Sequence, residues 1–104
     1  MNEHVNNYDI FKDEELKIAD KILRRRLQML VHSCLYYNLN TNIITDKQFD
    51  TWARELVTLQ KENIDISKKV KWAEAFEGFD GHTGFDLPIN DPWVVKKAQY
   101  LMKT

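Results

Sequence analysis

Leu16, Ala19, Leu23, Leu27, Leu30, Cys34 and Tyr37 recur at steps of three and four along the chain. That period returns side chains to one face of an α-helix, so the spacing predicts a long amphipathic helix ending near Leu39. Asp13 is placed to cap its start, with Glu14 and Glu15 in the first turn, where the helix dipole favours carboxylates. A second stripe, Phe49, Trp52, Ala53, Leu56 and Leu59, predicts a second helix, which Thr45 and Gln48 open as a capping-box pair. Between the two runs lies "NLNTN", whose residues tolerate left-handed backbone and bond to their own chain. So short a joint sets the two helices side by side as an antiparallel hairpin.

The pattern loosens after Lys61. "SKKVKWAEAF", residues 67–76, predicts a short helix capped by Ser67, and "EGFDGHTGFDLPIND" holds all three glycines and must be a loop. Asp91 followed by Pro92 opens a last helix running to about Lys103. Alternation of the kind a strand needs is absent throughout. The expected fold is a small all-α domain: a flexible arm over residues 1–12, the hairpin over 13–63, and a short helix, a Gly-rich aromatic loop and a closing helix over 64–104.

Composition narrows the classes. The 104 residues fit one domain, and a formal net charge of −1 gives no global field to attract nucleic acid or an anionic membrane. A nucleic-acid binder using Arg24 to Arg26 and Lys68 to Lys71 is therefore disfavoured. Arg24, Arg25 and Arg26 splay about 100° apart on the helix and read as a solvated rim with buried stems. The single cysteine, Cys34, fits a reducing cytosol and sits on the apolar stripe as an inert thiol. No apolar run approaches the roughly 20 residues of a membrane span, and no signal-peptide pattern opens the chain; a cytoplasmic location is expected.

Candidate chemistry gathers at the hairpin's end. His32 and Tyr36 share a helical face, as do Asp46 and Asp50, with Phe49 beside them. Antiparallel packing brings these residues and Tyr37 toward one spot. Rings and carboxylates together suit a flat cation bearing hydroxyls. The plain alternative is core aromatics beside a helix start that favours acids. His82 in "DGHTG" fits neither a zinc nor a calcium pattern and reads as part of the loop. The loop's rings, Phe76, Phe79 and Phe85, either fold back onto the helices or form a patch for a partner.

The stretch "HSCLYYNLNTNIITDKQFDTWARELVTLQKE" resembles the small N-terminal helical domain, often called Ia, of bacterial NAD-dependent DNA ligases. The family pattern is matched by His32, Tyr36-Tyr37, Ile44-Thr45-Asp46, Phe49-Asp50 and Arg54-Glu55-Leu56, in the same spacing over roughly residues 16–63. In those ligases the domain closes over NAD and binds its nicotinamide mononucleotide (NMN) half. The resemblance implies that Tyr36 stacks on the nicotinamide, with Tyr37, Asp46 and Asp50 making polar contacts. Phe49 stands where the family usually has tyrosine, and Asn40 and Asn42 replace its usual Asp and Pro. The ligase's adenylated lysine lies in Lys-x-Asp-Gly, and the "FDG" at residues 79–81 has no lysine at the required place.

Function classes therefore stand as two. One is a non-catalytic protein, with no required cofactor or metal, that binds NMN, NAD or a related nucleotide. The other is an interaction module, similar to small accessory proteins of phages and mobile elements, in which the hairpin is scaffold and the aromatic loop and basic last helix contact a host protein.

Overall fold

A computed structural model describes residues 10–82, 84 and 86–103 of the chain. Among them are four helices and no strand: α1 (Asp13–Tyr37), α2 (Asp46–Glu62), α3 (Ile64–Lys69) and α4 (Pro92–Met102). The all-α expectation holds. α1 is the central element, packed against α2, α3 and α4.

Local signals account for the element boundaries. Lys12, rather than Asp13, occupies the cap of α1, and Glu15 Oε1 reaches back to accept from its backbone N–H at 3.0 Å. At the other end the backbone wraps up its last carbonyls: Leu39 N–H donates to Cys34 O and Thr41 N–H to Leu35 O. Asn40 takes the left-handed conformation, φ 52°, that asparagine tolerates and that lets the chain reverse. Thr45 Oγ1 then accepts from Gln48 N–H at 3.0 Å, capping α2. Asp91 caps α4 through Trp93 N–H at 2.8 Å, with Pro92 at the first helical position.

Two expectations are corrected. Ser67 does not cap a helix over 67–76; it lies inside α3, which Asn63 precedes and which stops at the extended Val70. The chain then turns repeatedly through residues 71–78, with Trp72 at φ 73°. The reason lies in the second correction. Arg26 is no solvated rim residue: it is 1% exposed and reaches from α1 under the end of α3. Its Nη2 donates to Ser67 O at 3.1 Å and Ser67 Oγ at 2.6 Å, its Nη1 to Val70 O and Lys71 O at 3.0 Å, and its Nε to Gln60 Oε1 at 2.9 Å. The guanidinium thus gathers carbonyls that a continuing helix would have bonded internally.

The buried arc of α1 is also wider than the expected stripe. Ala19, Leu30 and Cys34 are buried, Leu16, Leu23 and Leu27 only partly, and Tyr37 is exposed. Ile22, Arg26, Met29 and Ser33, all buried, fill the space between. A helix with α2 on one flank and α4 on another covers more of its circumference than a surface helix does. Phe76 is buried, with Trp72 and Phe79 packed against the core, so these aromatic residues fold inward. Phe85 lies outside the described residues, as do residues 1–9 of the expected arm; Phe11 is already part of the core. No helix among the described residues is long and apolar enough to cross a membrane.

Candidate functional site

The hairpin sets the geometry of the site. Lys21 and Arg25 of α1 both reach Glu55 of α2 at 2.7 Å, and His32 packs its ring on Trp52 with centroids 5.6 Å apart. Sequence positions that rise along α1 therefore meet positions that fall along α2, the antiparallel arrangement. The end of α1 lies beside the start of α2, and there a cleft of about 330 Å³ opens.

His32, Tyr36, Tyr37, Asp46, Phe49 and Asp50 all line that one cleft. Tyr36 and Tyr37 are 51% and 41% exposed, and their rings meet edge to face at 4.9 Å. Large aromatic side chains left open to solvent next to each other present ring surface for a ligand to cover. Phe49 is half-buried at the base. Asp46 and Asp50 stand exposed on the first turns of α2, and Asp50 reaches Arg54 only at 4.0 Å. No lysine or arginine is among the cleft's described lining residues. The hairpin wall is therefore acidic and aromatic.

The other wall comes from the loop. His82 and Gly84 line the cleft too, although the sequence offered nothing to separate "DGHTG" from an ordinary surface loop. The loop is seated on both helices of the hairpin. Gly81, at φ 87°, lies against α2, where a Cβ would meet Val57 Cγ2 at 3.3 Å. Gly84 lies on α1, where a Cβ would fall 1.8 Å from Ser33 Oγ. Ser33 Oγ is buried without a hydrogen-bond partner among the described residues.

Two titratable groups near the hairpin link its stability to pH. Burial lowers the pKa of His32 below the ordinary 6.5. The folded chain then holds that proton less tightly than the unfolded chain, so stability falls as pH drops below about 6.5. Glu55 is lowered from 4.5 by hydrogen bonds from Lys21 and then Arg25. Its contribution is present above 4.5 and is lost as pH falls from there toward its folded value. Thermal melts in pH steps should show two successive losses, and His32→Asn should remove the upper one alone. An unchanged upper loss in that variant would assign it to another group.

Other candidates contribute little. Burial raises the pKa of the Cys34 thiol and keeps it from solvent. No cluster of three or more His, Cys, Asp or Glu suited to a metal occurs among the described residues. A second hollow, about 480 Å³, lies between α2, α3 and the turns at 73–79, with a rim of mixed lysine and glutamate that prefers neither charge. On α4, Trp93 and Tyr100 are exposed on either side of Lys97, whose Nζ sits 5.8 and 5.9 Å from their ring centres.

Comparison with known proteins finds a partial likeness. The chain is 40% identical over 47 residues to a DNA ligase of Leptospira biflexa serovar Patoc, and 42% identical over 48 residues to a DNA ligase of Bacteroides fragilis. Those segments cover 45% and 46% of this chain but 7% of each ligase. A little under half of the chain is thus similar to a short segment of much larger DNA ligases. No family model matches the chain, and no solved structure matches it at a significant level.

Proposed function

We propose, from a chain that carries a DNA-ligase-like segment, that the hairpin cleft binds nicotinamide mononucleotide, NAD or a related nucleotide, without ligase chemistry of its own. One observation carries this reading: the ring-bearing and acidic residues matching the Ia pattern, drawn from two helices, line a single cleft. Nicotinamide attached to ribose is a flat cation. Tyr36 and Phe49 offer it ring faces, and Asp46 and Asp50 offer negative charge and acceptors for ribose hydroxyls. Tyr37 adds a hydroxyl, while His32, its pKa lowered by burial, serves as a neutral ring at the cleft edge. Phe49 keeps the stacking surface of the tyrosine usual in the family and drops its hydroxyl. The absence of a Lys-x-Asp-Gly motif leaves this segment without the ligase nucleophile, so the reading is one of binding.

Calorimetric titration with NMN and with NAD tests it. The wild-type chain should bind at or below millimolar ligand, and Asp50→Ala should weaken binding about 10- to 100-fold, the loss expected of a hydrogen bond to a charged group. No heat from the wild-type protein at millimolar ligand would overturn the proposal. Unchanged affinity in Asp50→Ala would move the site away from the start of α2.

A further inference from the structure

An acidic, aromatic wall accounts for half of a nucleotide. The phosphate is an anion, and Asp46 and Asp50 repel it. Among the described residues lining the cleft, the side chains able to carry positive charge are His32 and His82. Burial disfavours the charged form of His32. His82, by contrast, has a side chain that is 84% exposed at the cleft rim.

The loop holds His82 in a defined pose. Asp80 grips it twice: Oδ1 accepts from the His82 backbone N–H at 3.0 Å, and Oδ2 lies 3.1 Å from Nδ1. The positive φ of Gly81 makes so tight a turn accessible, and the glycine lies so near α2 that an added Cβ would crowd Val57, which places the turn beside the cleft. A carboxylate at Nδ1 fixes that nitrogen as the donor and leaves Nε2 as the ring nitrogen available to a ligand.

We infer that His82, positioned by Asp80, is the phosphate-binding residue of this cleft, so that the hairpin wall takes the nicotinamide riboside portion and the loop wall takes its phosphate. The inference rests on the nucleotide reading of the cleft and extends it to residues outside the ligase-like hairpin. The protonated ring donates from both nitrogens, to Asp80 from Nδ1 and to a phosphate oxygen from Nε2. Asp80 then faces the ring and not the ligand, and the three groups alternate in charge.

The test compares NMN with nicotinamide riboside, which lacks the phosphate, on the full chain. Wild-type protein should prefer NMN. His82→Ala should lower NMN affinity about tenfold, the scale of one exposed charge-assisted hydrogen bond. It should leave nicotinamide riboside unaffected, and His82→Arg should restore the preference. The exposed side chain can be removed without disturbing the core, which an unchanged melting temperature would verify. Equal losses for both ligands in His82→Ala, no loss for either, or a wild-type protein that binds both equally would overturn the phosphate role while leaving the cleft a nicotinamide site. A wild-type protein that binds neither ligand would sink the nucleotide reading, and the phosphate role with it.

Discussion

Arg26→Ala should lower the melting temperature by about 15–30 °C, the largest effect of any single substitution considered. The side chain is buried in the centre of α1 and donates to backbone carbonyls of Ser67, Val70 and Lys71, as well as to Gln60. Removing it takes the Arg26 donors from Val70 O, Lys71 O and Gln60 Oε1 and leaves Ser67 O only the Val70 N–H at 3.4 Å. Each buried acceptor left without a donor costs about 1–3 kcal/mol. It also opens a hole beneath Phe76, whose ring centre lies 5.8 Å from the guanidinium carbon. Partial relaxation and entering water offset some of this, so about 3–5 kcal/mol is the expected total. For a domain of about 100 residues that corresponds to the stated shift. Arg26→Lys should recover little, because one ammonium cannot span acceptors that a planar fork reaches together. A lysine variant melting like the wild type would show that charge alone, and not the fork, holds the turn segment down.

Gly84→Ala should cost about 3 kcal/mol, the upper part of the range for overpacking a tight site. The added methyl would fall 1.8 Å from Ser33 Oγ and 2.7 Å from Ser33 Cβ. Turning Oγ aside leaves the Cβ clash in place, since Ser33 is buried on α1 and its Cβ is fixed by the helix. The loop must lift instead, carrying its end of the cleft wall with it. Ser33→Ala alone should be neutral or mildly stabilising, because it removes a buried hydroxyl that has no partner among the described residues. In that background Gly84→Ala should cost less than in the wild type, giving a coupling term in a double-mutant cycle. Melting curves of the four proteins decide it, and strict additivity would mean that the two residues do not touch in solution.

Much of the hairpin is legible in the sequence because its determinants are local. Thr45 with Gln48, and Asp91 with Pro92, announce helix starts through hydrogen bonds spanning three residues or fewer. Asn40 in the joint adopts the left-handed backbone that its short amide side chain tolerates. The convergence of Tyr36, Asp46 and Asp50 follows from the hairpin once the joint is seen to be short. Arg26 was illegible for the opposite reason. General preference puts arginine at the surface, and only the flanking of α1 by α2, α3 and α4 turns that part of the helix inward. The misread of residues 67–76 follows from it, since Ser67 serves a side chain 41 positions earlier instead of a helix start. Ser33, His82 and Gly84 gave no local signal either. Their partnership exists only once the glycine-rich segment lies across the hairpin.

That crossing has a consequence for the order in which the cleft comes into being. Its aromatic and acidic wall joins residues on either side of a short joint. The loop wall depends on chain returning from far away: Asn38 Nδ2 donates to Ile89 O and Asn90 Oδ1 across 51 and 52 positions. Contacts between near neighbours form early and survive partial opening, whereas distant closures come late and release first. The aromatic, acidic half of the cleft can therefore stand while the half that carries His82 is absent. On the proposed nucleotide reading, capture of the nicotinamide and capture of the phosphate would be events separable in time as well as in space.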